Sequence, residues 1–449
     1  MEVEAWLARA AAARPAEMAL QTPLGSCSYA ELYARARRAA GVIAGRGVSP
    51  GQRVAIALPA GLAFAEALHG CMLLGAVAVP VDLRLSAQER ARITGSASTL
   101  VEEPLGEGPP PAAGGAGPTH ALDATAVVMH TSGTSASPRA VELTYGNLLW
   151  SALGSAVALG LHPRERWLCS LPVSHVGGLS ILVRSAIYGT SAVVHERFEA
   201  DRVLHALRTQ EVTLVSLVAT TLARLLDAGL SAPVHLRCAL TGGGPVPAAL
   251  LARARAARVA VSLTYGLTEA ASQVSTTPAA ELDGPQSSAG PPLFCTRVRI
   301  EQAPSAGSGE GEILIQGPTV SPAATAPDGW LHSGDVGRLD EQGRLLVSGR
   351  IADTIISGGE NVAPAEVEAV LEAHPQVLEA AVLGRPDPVW GEAVTAIVVA
   401  RPGAAVEAET LRAYCAGTLA SYKVPKQVVV AAEPLPRTRS GKLLRRELA

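Results

Sequence analysis

The sequence predicts an α/β protein with a small α+β domain at its C-terminal end. Up to about residue 285, short apolar runs alternate with helical patterns, which is typical of a parallel sheet covered by helices. Beyond this point the strand patterns are shorter and turns separate them, which predicts an antiparallel subdomain. A second change near residues 350–353 begins a unit of roughly one hundred residues, a normal domain size. We therefore predict two α/β subdomains and a small antiparallel β subdomain in residues 1–349, a boundary at 350–353 and an α+β domain in residues 354–449.

The first hundred residues alternate between helix and strand patterns. Apolar residues recur at helical spacing after Ser28, whose hydroxyl is suited to cap a helix N-terminus. The continuous apolar run that follows is typical of a strand buried on both faces. The predicted elements are a helix over 29–45, a strand over 53–59, a helix over 63–74 and a strand over 76–80. Residues 103–117 are rich in proline, glycine and alanine and are predicted to form a surface loop.

The alternation continues to residue 263 and is followed by the two later patterns. Strands are predicted over 125–130, 192–195, 212–216, 238–241 and 259–263, with helices over 201–210 and 220–228. The antiparallel subdomain has predicted strands over 297–300, 311–315 and 344–347. The C-terminal domain has predicted helices over 364–373 and 406–420 and predicted strands over 379–383, 393–400 and 427–431.

Composition and charge exclude several classes of protein. The net charge is −3, and no basic block resembles a nucleic-acid-binding surface. The six cysteines lie far apart without a C-x-x-C pair, which favours reduced and mostly buried thiols over a zinc site or disulfide bonds. Glu2 and Glu4 occupy the place where a signal peptide carries basic residues, and the apolar stretch at 63–81 is interrupted by charged residues, glycine and proline. We therefore expect a cytoplasmic protein without a membrane span. Much of the apolar fraction is alanine.

The strand pattern at 125–130 continues into a loop of small and hydroxyl-bearing residues at 131–139, with the sequence TSGTSASPR. Small side chains let backbone N–H groups approach anionic oxygens, hydroxyls add donors, and an arginine adds charge-assisted hydrogen bonds. The loop is therefore suited to bind a polyphosphate, although its spacing is not that of a Walker loop. An ordinary Ser/Thr loop between two elements is the alternative at this point.

Five motifs follow one another along the chain. They are residues 131–139, residues 171–179 (LPVSHVGGL), residues 265–269 (YGLTE), residues 329–335 (GWLHSGD) with 348–350 and 356–361, and residues 439–442 (RSGK). Together they resemble the adenylate-forming superfamily, which includes acyl-CoA synthetases, peptide-synthetase adenylation domains and luciferases. The resemblance extends from residue 51 to residue 442. Four stretches, 144–147, 175–189, 265–273 and 289–294, are most similar to the o-succinylbenzoate–CoA ligases of menaquinone biosynthesis.

The resemblance implies that the C-terminal domain is mobile and that the reaction has two steps. A carboxylate attacks the α-phosphorus of Mg·ATP, giving an acyl-adenylate and pyrophosphate, and a thiol then attacks the acyl carbon and releases AMP. ATP, Mg²⁺ and CoA are the implied cofactors, and the implied substrate is an aryl acid, with 2-succinylbenzoate favoured. An acyl carrier protein is the alternative thiol acceptor. No nucleic acid is expected to bind, and the sequence does not predict an oligomeric state.

The resemblance also implies a role for each motif residue. The β- and γ-phosphates are assigned to Thr131, Ser132, Gly133 and Thr134, with Arg139 as a nearby cation. The nucleoside is assigned to Gly243, Gly244 and Pro245 under adenine and to Asp335 and Arg350 at the ribose, beside Tyr265 and Gly266. Thr268 is assigned to the α-phosphate and Glu269 to Mg²⁺, since a hard cation prefers carboxylate oxygen. The acyl pocket is assigned to His175, Arg184, Ser272 and Gln273, the thiol channel to Gly358 and Gly359, and the catalytic cation of adenylation to Lys442.

Several of these residues have ordinary structural alternatives. Asp335 is also suited to a turn, His175 to a satisfied place in the core, and Arg184 to an ion pair with a nearby acid. Residues 242–245 could form a plain glycine-rich turn. The arginines at 445–446 are expected to belong to a solvated tail rather than to the site.

The sequence departs from the superfamily at the phosphate loop and at the domain boundary. Ala136 and Ala140 replace glycines and Arg139 replaces a lysine; alanine strains a loop at positive φ, and arginine is larger and forked. Ile351 and Ala352 replace more polar residues. These changes predict less efficient use of ATP. The alternative functions are therefore a ligase for another aryl acid such as benzoate or anthranilate, an acyl transfer between thiols, and a nucleotide-binding or interaction protein that has lost catalysis.

Overall fold

The computed structural model describes residues 1–106, 119–131, 139–281, 288–302, 309–357, 360–437 and 443–448. The strands in these ranges are β1 (Glu2–Glu4), β2 (Met18–Thr22), β3 (Gly25–Ser28), β4 (Arg53–Ile56), β5 (Val77–Pro80), β6 (Thr99–Val101), β7 (Thr119–Ala121), β8 (Thr125–Thr131), β9 (Arg139–Thr144), β10 (Arg166–Cys169), β11 (Ser191–Val194), β12 (Leu214–Leu217), β13 (Cys238–Thr241), β14 (Val261–Leu267), β15 (Ser272–Thr276), β16 (Arg297–Gln302), β17 (Gly311–Gln316), β18 (Leu331–Leu339), β19 (Leu345–Arg350), β20 (Ile355–Ser357), β21 (Glu360–Val362), β22 (Val377–Asp387), β23 (Gly391–Ala400) and β24 (Gln427–Ala431).

The α-helices in the same ranges are α1 (Trp6–Ala13), α2 (Tyr29–Gly45), α3 (Leu62–Leu74), α4 (Ala87–Thr94), α5 (Tyr145–Leu159), α6 (Val176–Tyr188), α7 (Ala200–Thr209), α8 (Ala219–Asp227), α9 (Ala248–Ala256), α10 (Pro364–Glu372) and α11 (Ala408–Ala416). Short 3-10 turns occur at Thr268–Ala270, Ala279–Glu281, Pro322–Ala324, Ile351–Asp353 and Arg445–Glu447.

Two mixed sheets form the first part of the fold. One has the strand order β15-β14-β13-β12-β10-β11-β2-β3, and the other has the order β6-β4-β5-β8-β9. The interior neighbours in both sheets are parallel, whereas the pairs β14–β15, β2–β3 and β8–β9 at the ends are antiparallel. The prediction of two α/β subdomains is therefore confirmed.

Two smaller sheets follow along the chain. The strands β16-β17-β18-β19 form an antiparallel sheet, which confirms the predicted β subdomain. The last sheet has the order β21-β20-β23-β22, and β24 adds to β23 in parallel. Helices α10 and α11 contact this last sheet, and buried side chains such as Val382, Val394 and Leu411 give it a core cluster of its own.

Local sequence accounts for the best-predicted helix. Ser28 accepts a hydrogen bond from the backbone N–H of Glu31, and the Glu31 carboxylate accepts one from the backbone N–H of Ser28. This reciprocal capping box fixes the start of α2. The helix then packs so closely on α3 that a Cβ added at Gly70 would lie 2.8 Å from the Cβ of Ala39.

Most predicted elements lie within a few residues of the observed ones, and the differences have local reasons. The helix predicted over 406–420 ends at Ala416, where Gly417 is the C-cap, in keeping with the tendency of glycine to end helices. The strand predicted over 379–383 is longer, because β22 pairs with β23 along its whole length from Val377 to Asp387. Only residues 103–106 of the predicted loop at 103–117 lie within the described residues.

No helix in the described ranges combines the length and the apolar character that are required to cross a membrane. All six cysteines fall within these ranges and are free thiols, and five of them are buried.

Glu372, the last residue of α10, provides a stability test. Burial raises the pKa of its carboxyl to about 7, and neighbouring Glu368 and Glu379 add to the rise. The native state thus retains a proton that the unfolded chain loses near pH 4.5, and the free energy of unfolding falls as the pH rises between these two values. Glu372→Gln keeps the oxygen that accepts the Ala380 N–H. We expect it to raise the thermal midpoint more at pH 8 than at pH 5, by a difference equivalent to about 2–3 kcal/mol.

Glu409→Gln is the matched control for this experiment, because the Glu409 side chain is 81% exposed. Its effect on the thermal midpoint is expected to be the same at both pH values. Equal shifts for Glu372→Gln at pH 5 and pH 8 would contradict the proposed protonation.

Candidate functional site

The described residues on either side of the predicted phosphate loop belong to two paired strands. Thr131 at the end of β8 lies opposite Arg139 at the start of β9, so the two ends of the loop meet in an antiparallel register. Arg139 is exposed, and Thr131 is half-buried. Ser132, Gly133 and Thr134 lie outside the described residues, so their part of the prediction stays open.

Two of the predicted nucleotide-binding residues, Tyr265 and Arg350, contact a third, Asp335. The Tyr265 hydroxyl donates to Asp335 Oδ2 at 2.7 Å, and Arg350 Nε lies 2.9 Å from Asp335 Oδ1. Asp335 on β18 and Arg350 on β19 are register partners, whereas Tyr265 comes from β14 in the eight-stranded sheet. Burial, together with the negative Asp335, raises the pKa of Tyr265, so its hydroxyl stays protonated and donates. A carboxylate only accepts hydrogen bonds, and each of the two donors contacts a different oxygen of Asp335. Because Asp335 is only 6% exposed, these two contacts fix the orientation of its carboxylate.

The turn between β14 and β15 places Glu269 beside β9, the strand that begins at Arg139. Gly266 approaches the opposite strand so closely that a Cβ there would lie 1.7 Å from the Ser272 carbonyl oxygen. Thr268 and Glu269 lie in the following 3-10 turn, which contacts β9. Glu269 is half-buried, and no described residue donates a hydrogen bond to its carboxylate. The carboxylate is therefore available to a ligand.

The glycine-rich segment after β13 is exposed. Gly243 has φ +80°, a conformation that favours glycine, and Gly244 has no other atom within 4 Å of where a Cβ would be. Pro245 is also exposed. Because β13 and β14 are parallel neighbours, this segment and Tyr265 lie near the same carboxyl-terminal end of the strands. This end is a common place for a ligand in an open α/β sheet.

His175 is not a core residue, since its side chain is 39% exposed. Its Nε2 lies 3.0 Å from an Nη atom of Arg84, and Arg84 in turn forms a two-pronged ion pair with Asp82. The structural alternative of a core histidine is therefore wrong. Sequence reasoning missed Asp82 and Arg84, although both follow the carboxyl end of β5, where polar residues commonly gather at a site.

Arg184 is buried beside the predicted acyl-pocket residues. It is 2% exposed, donates to Ser151 Oγ at 3.0 Å and lies 5.5 Å from the ring centre of Trp167. Within the described part of the chain no carboxylate pairs with it, and its Nε has no partner. The alternative of an ion pair with an acid is therefore wrong. Burial lowers the pKa of this guanidinium.

Ser272 and Gln273 lie at the start of β15, which contacts the helix that carries Arg184. Gln273 is buried and donates to Thr276 Oγ1 at 2.7 Å, while its Oε1 is buried without a partner among the described residues. Unsatisfied polar atoms on Arg184 and Gln273 thus lie on two contacting elements. Such groups are costly unless a ligand or water satisfies them.

The structure describes only some of the residues that were singled out in the C-terminal region. Gly358, Gly359 and Lys442 lie outside the described residues. The expectation of a solvated tail is wrong for Arg445, whose side chain is only 23% exposed and pairs with Glu368. A run of basic residues does not reveal a buried partner far away in sequence.

Comparison with known proteins gives the same family along the whole chain. The model of the AMP-binding enzyme family matches residues 7–103 and 98–323, and the model of the AMP-binding enzyme C-terminal domain matches residues 366–442. The 2-succinylbenzoate–CoA ligase of Bacillus licheniformis is 38% identical over 474 residues, which cover 99% of this chain and 98% of that protein.

Solved structures of o-succinylbenzoate CoA synthetase from Bacillus subtilis are similar throughout. The complexes with the acyl-adenylate intermediate OSB-AMP and with ATP and magnesium ion each have a TM-score of 0.91 and 38% identity, and cover 100% of this chain and 98% and 100% of those chains. A double mutant of that synthetase with its product analogue OSB-NCoA has the same 38% identity and covers 100% of this chain and 98% of that chain, but its TM-score is 0.75.

Two glycines of the site allow a matched test. We expect Gly266→Ala to destabilise the protein by about 3 kcal/mol or more, because its Cβ would overlap the Ser272 carbonyl oxygen at 1.7 Å. Gly244→Ala meets open space and is expected to change the free energy of unfolding by less than about 0.5 kcal/mol. Urea unfolding of both variants measures the difference. Equal stability of the two would show that the close approach of β14 and β15 is wrong.

Proposed function

The chain belongs to the AMP-binding enzyme family, and we propose that it is an AMP-forming ligase that joins 2-succinylbenzoate to CoA. The observation that carries this proposal is the 38% identity to a 2-succinylbenzoate–CoA ligase over 99% of this chain and 98% of that protein. The match therefore extends over nearly the full length of that relative. The close match to the OSB-AMP complex, with a TM-score of 0.91, supports the adenylate as the intermediate.

The reaction consists of two displacements. In the first, a carboxylate oxygen of the acid attacks the α-phosphorus of ATP, and the bond from this phosphorus to the bridging oxygen of pyrophosphate breaks. In the second, the CoA sulfur attacks the acyl carbon, the bond to the AMP oxygen breaks, and the thiol proton is lost. Both steps bring anions together or develop negative charge, so positioning and electrostatic stabilisation provide most of the catalysis.

ATP is proposed to lie across the carboxyl-terminal ends of the strands, from Asp335 toward Thr131. Asp335, already oriented by Tyr265 and Arg350, still has lone pairs that accept the two ribose hydroxyls. Adenine packs on the exposed segment Gly243–Pro245. The phosphates extend toward the loop that begins at Thr131, with Arg139 as a cation.

Mg²⁺ fits the residues at this edge. Glu269 has a half-buried carboxylate to which no described residue donates, on a turn that contacts β9. A carboxylate oxygen is a preferred ligand of Mg²⁺, and Glu269 would hold the ion. When bound, the ion neutralises charge on the phosphate oxygens. Thr268 on the same turn is proposed to donate to the α-phosphate.

The substrate acid is proposed to lie between α6 and β15. 2-Succinylbenzoate has a second carboxylate besides the reacting one, and Arg184 is a buried guanidinium with no acidic partner among the described residues. A charge-assisted hydrogen bond from Arg184 would satisfy both groups. Ser272 and Gln273 on β15 are proposed to contribute to the pocket, and His175 is proposed to border the entrance of the acid and the thiol.

Domain rotation is proposed to separate the two steps. Residues 1–349 form the proposed N-terminal domain, residues 350–353 the hinge and residues 354–449 the C-terminal domain. Lys442 would be presented for adenylation, and Gly358 and Gly359 for passage of the thiol. The TM-scores support rotation, because this chain matches the ATP and OSB-AMP complexes at 0.91 and the product-analogue complex at 0.75.

Acid specificity tests the substrate assignment. The wild-type protein is expected to release pyrophosphate from ATP with 2-succinylbenzoate and to form the thioester with CoA. Arg184→Gln is expected to raise KM for 2-succinylbenzoate about tenfold or more, because a hydrogen bond to a charged group is lost, and to leave any activity on benzoate unchanged. The measurement is acid-dependent pyrophosphate release over a panel of aryl acids.

Absence of acid-dependent pyrophosphate release would overturn the ligase assignment and favour acyl transfer between thiols or a protein without catalysis. If Arg184→Gln lowered the activity on benzoate and on 2-succinylbenzoate equally, the proposed role of Arg184 would be contradicted. If the thioester formed on a carrier-protein phosphopantetheine and not on CoA, CoA would be wrong as the proposed acceptor.

The role of Lys442 is tested by separating the two steps. Lys442→Ala is expected to lower the rate of adenylation by about 100-fold or more, because a cation that stabilises the transition state is removed. Thioester formation from supplied acyl-adenylate and CoA is expected to stay within twofold of wild type. Equal losses in both steps would contradict the proposed division of labour.

A further inference from the structure

Arg445 links three separate parts of the C-terminal region. Its two Nη atoms pair with the carboxylate of Glu368 on α10, with Nη2 at 3.0 Å from Oε2. Nη1 also donates to the carbonyl oxygen of Val382 on β22 at 2.8 Å. Nε lies 3.5 Å from Oδ2 of Asp353, in the 3-10 turn that ends the proposed hinge. One guanidinium thus contacts a helix, a strand and the hinge.

The Glu368 partner is itself fixed. Its Oε1 accepts the backbone N–H of Val382 at 2.7 Å, so helix, strand and guanidinium form a closed set of contacts. The side chains of Arg445 and Glu368 are only 23% and 12% exposed. A two-pronged pair of this kind has a defined geometry, because the planar guanidinium matches the carboxylate.

These contacts lie at the base of the segment that carries Lys442. Residues 438–442 lie outside the described residues, but both sides of the segment are described. Arg437 and Leu443 are paired by an antiparallel bridge, and the backbone N–H of Leu444 donates to the Pro436 carbonyl oxygen at 2.9 Å. On the first side, Arg437 Nη2 lies 2.8 Å from the carboxylate of Glu379 on β22. Arg445 holds the second side against the same strand.

The contact with Asp353 extends this anchor to the hinge. A torsion change at Asp353 would separate its carboxylate from Arg445, and the ion pair therefore restricts that torsion. The arrangement in which the pair occurs matches the ATP and OSB-AMP complexes better than the product-analogue complex, with TM-scores of 0.91 and 0.75. The pair is thus present in the arrangement assigned to adenylation.

We propose that Arg445 is a positioning residue for the adenylation step: it fixes the base of the Lys442 segment on β22 and, through Asp353, favours the hinge arrangement of that step. This inference rests on the proposed function, in which Lys442 acts in adenylation and the hinge then rotates. The described partners of Arg445 are Glu368, Val382 and Asp353, and its proposed role does not involve contact with the reacting atoms. Arg445 acts through Lys442 and the hinge.

Conservative variants separate this role from folding. Arg445→Ala would leave the half-buried Glu368 carboxylate without its charged partner, which is destabilising. Arg445→Lys keeps the charge but lacks the fork that reaches Glu368, Val382 and Asp353 together. Asp353→Asn keeps the shape of a side chain that is 38% exposed and removes only the charge that faces Arg445.

The experiment measures the two steps separately in the full-length protein. Adenylation is followed by acid-dependent pyrophosphate release, and thioester formation is followed with supplied 2-succinylbenzoyl-AMP and CoA. We expect Arg445→Lys to lower adenylation about tenfold and Asp353→Asn to lower it about threefold to tenfold. Thioester formation is expected to stay within twofold of wild type in both variants, or to rise in Asp353→Asn.

Arg412→Lys is the matched control. Arg412 lies on α11 in the same region, donates to the Pro425 carbonyl oxygen at 3.1 Å and pairs with Glu409 at 2.8 Å. Among the described residues its side-chain partners do not include the hinge or Arg437, Leu443 and Arg445, and neither step is expected to change. Thermal midpoints of all variants are recorded alongside.

Two results would overturn the proposal. Equal losses of both steps in Arg445→Lys would indicate a merely structural residue, and unchanged adenylation in both variants would remove the positioning role. Lys442→Ala distinguishes this failure from failure of the proposed function. If Lys442→Ala lowers only the rate of adenylation and Arg445→Lys leaves that rate unchanged, only the role of Arg445 is overturned. Equal losses of both steps in Lys442→Ala overturn the division of labour and this inference with it.

Discussion

The site is organised around the charge of Asp335. A carboxylate that is 6% exposed is costly unless it is paired, and its two partners come from different sheets. Arg350 is its register partner in the antiparallel sheet, whereas Tyr265 belongs to the eight-stranded sheet. The hydrogen bond from Tyr265 to this buried carboxylate therefore links the antiparallel sheet to the eight-stranded sheet, alongside the apolar contacts between them. The proposed nucleotide site lies where these two layers meet.

Much of the fold could be predicted because its determinants are local. The capping box of Ser28 and Glu31, and the apolar runs of the buried strands, lie within a few residues of the elements that they specify. The order of the motifs likewise indicated the family, which the comparisons confirm. Element ends were less predictable, because the pairing of β22 with β23 extends a strand beyond its apolar run.

The surroundings of the site residues could not be predicted, because their partners are distant in sequence. Nothing near Arg184 in sequence indicates that it stacks beside Trp167 and lacks an acidic partner among the described residues. The same holds for Arg445, whose partner Glu368 is 77 residues away. For Arg184 an ion pair with a nearby acid was the alternative to a place in the acyl pocket, and Arg445 was expected to be solvated. Tertiary packing instead buries Arg184 without an acidic partner among the described residues and half-buries Arg445 against Glu368. The predicted roles of the loop residues and of Lys442 remain predictions, since those residues lie outside the described ranges.

The close seam between α2 and α3 has a consequence for an alanine-rich chain. Gly70 and Ala39 meet at a distance that excludes larger side chains. Residues of this size have no rotamers to lose, so ordering them costs backbone entropy alone. Each buries little apolar area, so cohesion at the point where Gly70 meets Ala39 comes from many close contacts between small groups, while larger side chains such as Leu32 and Phe64 are also buried on these helices. An alanine-rich chain can therefore form such helix pairs without loosening the interior.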